Sequence, residues 1–93
     1  MSTFLARIEL HGASATDYEN LHERLSALGF SRVVTADNGS RLRLPDATYT
    51  YTSGSLSSSE SVGHQVKEVA QSIRNSSVFV CEYSTWYGYL HNA

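Results

Sequence analysis

The stretch "FLARIELHG", residues 4–12, decides the fold of this chain. Its apolar and polar positions alternate, and a period of two is typical of a half-buried strand, which Gly12 ends. The set that faces a core is Phe4, Ala6, Ile8 and Leu10. Arg7, Glu9 and His11 then project together from the opposite face of a sheet.

Apolar residues at helical spacing predict two helices, near residues 16–28 and 58–74. In the first, Thr16 is the expected N-cap and Gly29 ends the helix. In the second, Ser57 followed by Glu60 has the pattern of a capping box. The two apolar stripes are Tyr18, Leu21, Leu25 and Leu28, and Val62, Val66, Val69 and Ile73.

Asn38-Gly39 predicts a hairpin over residues 31–44 with a two-residue turn. That turn places Val33 opposite Leu44 and Thr35 opposite Leu42. The other face then collects Arg32, Val34, Arg41 and Arg43. Strands are also predicted at 47–52, at 77–83 and, as a last strand or extension, at 84–90, and a flexible loop at 53–61.

The resulting order is strand, helix, hairpin, strand, helix, strand. This is the split βαβ pattern, and it predicts one ferredoxin-like α+β domain over residues 1–93. Both helices are expected on one face of an antiparallel sheet. The other face is left for function or for a partner.

Composition limits the classes of function. The formal charge is −2, which excludes a polybasic nucleic-acid clamp, although six of the seven basic residues are arginine, the better residue for bidentate phosphate contacts. Cys81 is the only cysteine, and no histidine has zinc-site spacing, so we expect no disulfide, metal or cofactor. The N-terminus predicts neither a signal peptide nor a membrane span, and a bacterial cytoplasmic protein is expected.

Three groups of residues carry alternative interpretations. Arg7, Glu9 and His11 could act as phosphate clamp, base and acid, or Arg7 and Glu9 could form an ion pair with His11 at the strand end. His22 could transfer protons or could be a solvated residue on a helix surface. The stretch "STWYGYL", residues 84–90, is aromatic, and we expect Trp86 to be mostly buried, against the core or across a subunit boundary, rather than stacking on bases.

Several stretches resemble the GhoS family: "FLARIELHGASATDYENLHERLSALGFSR" (4–32), "DNG" (37–39), "LPDATYTY" (44–51) and "TWYGYL" (85–90). GhoS is the antitoxin of the type V toxin–antitoxin system, an endoribonuclease that cleaves the message of a membrane-damaging toxin. The resemblance implies a ferredoxin-like fold, similar to CRISPR adaptation nucleases that dimerise through their sheets. The acidic residue that ends the first strand in GhoS corresponds to Glu9. The helix-1 arginine implicated in GhoS falls on His22, and Arg24 is the nearest arginine.

We therefore expect a GhoS-like antitoxin, or a relative, that binds RNA as a homodimer. RNA cleavage would be acid–base transphosphorylation by the 2′-hydroxyl. The catalytic candidates are Glu9, His11, His22 and Arg24, and the RNA-binding candidates are Arg7, Arg32, Arg41 and Arg43. The alternative is a non-catalytic dimeric module whose open face binds another protein.

Overall fold

The computed structural model describes residues 2–52 and 54–93. These residues form β1 (Thr3–Leu10), α1 (Ala15–Ala27), β2 (Val33–Thr35), β3 (Arg41–Arg43), β4 (Thr48–Thr52), α2 (Ser59–Ile73) and β5 (Ser76–Tyr83). The predicted order of strand, helix, hairpin, strand, helix and strand is confirmed. Neither of the helices formed by these residues has the length and apolar character that crossing a membrane requires.

β1 is the central strand of an antiparallel sheet of order β4-β1-β5, and β2 and β3 form a separate ladder. Ser31 connects the two, because its N–H donates to the Thr50 carbonyl at 2.8 Å and the Thr50 N–H donates back at 2.7 Å. The chain that leads into β2 thus lies beside β4. With two helices on the sheet, the arrangement is ferredoxin-like α+β, as predicted.

Both helices pack on the same face of the sheet. The alternation predicted for β1 is confirmed, because every second side chain is buried and those between are half-buried or exposed. Burial of each large apolar side chain contributes about 1.5–3 kcal/mol. One cluster holds the buried residues of both helices and the sheet: Phe4, Ala6, Ile8, Leu10, Leu21, Leu25, Phe30, Tyr49, Tyr51, Val62, Val66 and Ala70.

The helices begin at different caps from those predicted. Ser14, not Thr16, is the N-cap of α1, and it forms a capping box with Asp17. Ser58, not Ser57, caps α2, with Ser61 as the reciprocal partner. Each true cap is the residue whose extended backbone lets its hydroxyl accept from an N–H three residues later. The loop predicted at 53–61 begins at Ser53, outside the described residues. Residues 54–58 form no helix or strand, whereas 59–61 belong to α2, so the predicted loop is too long at its end.

The register predicted for the hairpin is wrong by one residue. Val33 lies opposite Arg43, and Thr35 lies opposite Arg41. The turn is a three-residue loop, closed by a bond from the Ala36 N–H to the Ser40 carbonyl at 2.8 Å, with Gly39 at a φ of +88°. Because a slip of one residue exchanges the faces of a strand, Arg41 and Arg43 share a side with Val33 and Thr35 rather than with Val34.

Residues 84–93 form an irregular tail rather than the predicted strand. The tail forms a groove with Leu5 and Cys81 on the open face. Its end returns to β3, where the Arg43 N–H donates to the His91 carbonyl at 2.9 Å. Trp86 is 40% exposed, so the prediction that the core buries it is wrong. The physical reason is that no described segment covers the outer side of the tail, and burial across a subunit boundary stays a prediction.

Candidate functional site

A cleft opens where β4 stops before the end of β1. The ladder between them runs from Thr3 opposite Thr52 to Arg7 opposite Thr48, whereas β1 continues beside β5 as far as Leu10. Beyond the end of β4, the Leu10 N–H has no partner in that strand. It donates instead to the hydroxyl of Tyr18 from α1, at 3.0 Å. The space between this strand edge and α1 is a cleft of about 850 Å³.

A strained turn shapes one rim of this cleft. Ala47, just before β4, has a φ of +58°, in the left-handed region that costs a non-glycine residue roughly 1–2 kcal/mol. Two backbone bonds maintain it: the Ile8 N–H donates to the Ala47 carbonyl at 3.0 Å, and the Thr48 N–H donates to the Pro45 carbonyl at 3.1 Å. The turn thereby places Asp46 at the rim.

Four of the eight predicted site residues line the cleft. They are Arg7, Glu9, His22 and Arg32. The other lining residues are Ile8, Ala15, Tyr18, Glu19, Asp46, Ala47, Ser77, Val78 and Phe79. The cleft thus combines α1, the open face of β1 and β5, and the loops before β2 and β4.

His22 is the titratable group at the centre of the α1 wall. Its Nδ1 lies 2.5 Å from the Tyr49 hydroxyl, and the imidazole is half-buried. Burial lowers the pKa of His22 below the ordinary 6.5, and the positive charge of Arg32 lowers that pKa further, while Asp46 and Glu19 partly oppose the change. His22 is therefore neutral at physiological pH, which is the state that a general base requires.

Tyr49 is buried beneath His22. Burial raises the pKa of Tyr49 to about 12, so its hydroxyl keeps its proton. In the tautomer with a proton on Nδ1, His22 donates to the Tyr49 oxygen and the lone pair of Nε2 is free. The Tyr49 hydroxyl thus fixes the orientation of a ring that projects into the cleft.

Arg32 places an uncompensated positive charge beside His22. It is half-buried, and its Nε is buried without a hydrogen-bond partner among the residues that the structure describes. In the same part of the chain, no carboxylate lies within 4.0 Å of its guanidinium. Leaving a buried donor unpaired costs about 1–3 kcal/mol, so this position favours an anionic ligand.

Arg7 and Glu9 do not form the ion pair that was the alternative interpretation. Arg7 Nη1 instead donates to Thr48 Oγ1 at 3.3 Å, across to β4. Both side chains are exposed on the open face, and both line the cleft. The guanidinium of Arg7 and the carboxylate of Glu9 are therefore available to a ligand.

The other four predicted residues lie elsewhere. His11 Nε2 lies 2.9 Å from Ser77 Oγ at the end of β1, next to the cleft. Arg24 faces the other helix, where it donates to Ser72 Oγ at 2.6 Å. Arg41 and Arg43 are exposed on β3. The structure therefore brings Arg32 into the cleft and separates it from Arg41 and Arg43, contrary to the shared arginine face that the hairpin register predicted.

A family profile described as endoribonuclease GhoS matches residues 1–92, nearly the whole chain. The chain belongs to the GhoS family. Comparison with curated proteins finds no match. The family makes this an endoribonuclease-related protein of the toxin–antitoxin class. Of the positions that the GhoS resemblance indicated, Glu9 and His22 line the cleft, and Arg24 does not.

Sequence reasoning missed several residues of this GhoS-family cleft. Tyr49 was read only as part of an alternating strand, although a buried tyrosine hydroxyl needs a partner and could have been sought near a histidine. Asp46 and Glu19 were not chosen as site residues, because no catalytic or binding pattern distinguishes them from other acidic residues of the chain. Among the described residues, no cluster of three or more His, Cys, Asp or Glu side chains could hold a metal ion.

Proposed function

We propose that this GhoS-family protein binds RNA in the cleft and cleaves it by transphosphorylation, as an antitoxin in the cytoplasm. The observation that carries the proposal is the neutral His22, oriented by Tyr49, beside the unpaired guanidinium of Arg32. A neutral imidazole can accept the proton of a ribose hydroxyl. An unpaired cation beside it can stabilise the negative charge on the adjacent phosphate.

In the proposed reaction, Nε2 of His22 accepts the proton of a ribose 2′-hydroxyl while the 2′-oxygen attacks the adjacent phosphorus. The bond from phosphorus to the 5′-oxygen breaks, and the 5′-oxygen takes a proton from solvent water. The products are a 2′,3′-cyclic phosphate and a 5′-hydroxyl. Arg32 and Arg7 stabilise the negative charge that develops on the phosphate oxygens.

Tyr49 is a positioning residue in this scheme, because it contacts His22 rather than the RNA. Glu9 is the second group of the cleft that could accept a proton, and it lies on the opposite wall, on β1. Comparing the Glu9→Gln and His22→Ala variants identifies which of the two is the base. The proposal assigns that role to His22.

The test is to incubate the purified protein with total bacterial RNA and to map the new ends. His22→Ala should lower the cleavage rate by roughly 10²–10⁴-fold, the usual contribution of a general base. His64→Ala is the matched control, because His64 is an exposed histidine on α2 outside the cleft. Equal cleavage by the His22→Ala variant and the wild type would remove His22 from the reaction.

The second candidate function is a dimeric protein-interaction module. The aromatic tail favours it, because Tyr87 and Tyr89 are 84% and 89% exposed next to the partly exposed Trp86. Failure of the pure protein to bind any RNA at low salt, together with self-association lost in a Tyr87→Ser/Tyr89→Ser variant, would support this candidate over the first. Both proposals include a homodimer. Sedimentation of the wild-type protein measures whether the chain forms one.

A further inference from the structure

An aromatic ring stands exposed at the mouth of the cleft. Phe79, on β5, is 66% exposed, although the residues on either side of it, Val78 and Val80, pack against the core. Phe79 also lines the same cleft as His22 and Arg32. The ring therefore lies on the open face of the sheet, beside the candidate site.

Arg7 is the direct neighbour of this ring. Arg7 and Phe79 are register partners in the ladder between β1 and β5, so their side chains share a face with Cβ atoms about 4.5–5.5 Å apart. On the other side of Arg7 lies Thr48, to which it donates a hydrogen bond. An aromatic ring and an arginine thus occupy adjacent positions on one face, with the guanidinium directed towards β4. A nucleotide offers the matching pair, a base and a phosphate.

We propose that Phe79 is a base-stacking residue, which binds an unpaired base of the RNA beside the cleft; this inference rests on the proposed function. In a duplex the faces of the bases are covered by their neighbours, and a ring on a sheet surface cannot reach them. Single strands expose those faces, and aromatic side chains bind them with little dependence on sequence. A base on Phe79 carries its phosphate towards Arg7 and the cleft.

A protein partner fits this position less well. On the side towards the cleft the neighbours of Phe79 are Arg7, Glu9 and Ser77. On the other side they are Leu5 and Cys81, which line the groove of the tail instead. The apolar area that Phe79 itself offers is that of one ring, about 150–250 Å². A stable protein interface needs roughly 800 Å² from each partner. The tail aromatics do not extend this area into one groove, because Phe79 does not line the groove formed by the tail.

The test uses a short RNA of mixed sequence with 2′-O-methyl riboses, which cannot be cleaved by the proposed reaction. The wild type should bind the single strand at least about tenfold more tightly than the annealed duplex. Phe79→Ala should weaken binding of the single strand by roughly 5- to 150-fold, the range found for one stacked base. A 2-aminopurine in the strand should be quenched by the wild type and not by Phe79→Ala.

Two further variants separate stacking from general apolar contact. Phe79→Tyr keeps a ring and should keep affinity and quenching, whereas Phe79→Leu keeps an apolar side chain without a ring and should lose both. Because the side chain is largely exposed, all three variants should keep the melting temperature of the wild type within a few degrees.

The outcomes distinguish this inference from the function on which it rests. If Phe79→Ala or Phe79→Leu binds the single strand like the wild type, or if the duplex binds equally well, the stacking role is wrong while cleavage at His22 stands. If Phe79→Ala instead changes the sedimentation coefficient and leaves RNA binding intact, the ring is a subunit contact. If the wild type binds no RNA at low salt, the proposed function fails and the stacking role fails with it.

Discussion

Tyr49, which lies 27 residues further along the chain, orients His22 through a hydrogen bond. The sequence places His22 between two buried leucines of a helix, and this spacing alone fits a solvated histidine equally well. His22 becomes a candidate base because Tyr49, on a strand, bonds to its ring and Arg32, in a loop, lies beside it. Contacts of this kind depend on how elements pack, so a local pattern cannot predict them. Glu9 and Arg7 were predictable, because their positions follow from the alternation of one strand.

The pH dependence of cleavage follows from the lowered pKa of His22. The base must be unprotonated, so the rate should rise with pH and level off, with its midpoint below the ordinary value of 6.5. Tyr49→Phe should lower kcat and move the midpoint further down, because the lost bond is stronger for the protonated imidazole. The measurement is kcat against pH for both proteins, and a midpoint above 6.5 in the wild type contradicts the assignment of His22 as base.

At the scale of elements, the sequence predicted the existence and order of the helices and strands and missed the helix caps and the hairpin register. Both helix predictions end within one residue of the true bounds, because the apolar stripes are strong. The caps were wrong because Ser14, Thr16, Ser57 and Ser58 all offer a hydroxyl, and only the backbone conformation decides among them. The hairpin register was wrong because Asn38-Gly39 fits a three-residue loop as well as a two-residue one.

The cap of α1 gives a stability prediction. Ser14→Ala removes the hydroxyl that accepts from the Asp17 N–H at 3.2 Å, and it should cost about 1 kcal/mol. In a domain of this size that lowers the melting temperature by roughly 4–8 °C. Thr16→Ala is the control, and it should change the melting temperature little, since Thr16 is exposed inside the helix. A larger loss for Thr16→Ala than for Ser14→Ala would refute the cap seen here.

The chain as a whole is acidic, although we propose that it binds RNA, which is a polyanion. Two arginines and three carboxylates line the cleft, so its overall charge does not attract a polyanion. Phosphate contacts must therefore be local, at Arg7 and Arg32. We propose that Arg41 and Arg43, exposed on β3, provide a second set of contacts for a longer strand.

The salt dependence of binding counts these contacts. Each phosphate neutralised on a single strand contributes about −0.7 to the slope of log K against log salt, so four arginines predict roughly −2.8. The Arg41→Ala/Arg43→Ala variant should reduce the slope to about −1.4. Binding of the 2′-O-methyl strand is measured at several salt concentrations. An unchanged slope in the double variant would show that the hairpin arginines do not contact RNA.

The central claim is that the cleft activates a ribose 2′-hydroxyl against its own phosphate. The most direct measurement replaces one ribose by 2′-deoxyribose, at a cleavage site mapped with the wild-type protein. The account predicts that cleavage at that bond disappears while neighbouring sites are still cut, and that the unmodified RNA ends in a 2′,3′-cyclic phosphate. Continued cleavage at the deoxy position, or a product that ends in a 3′-hydroxyl, would contradict it.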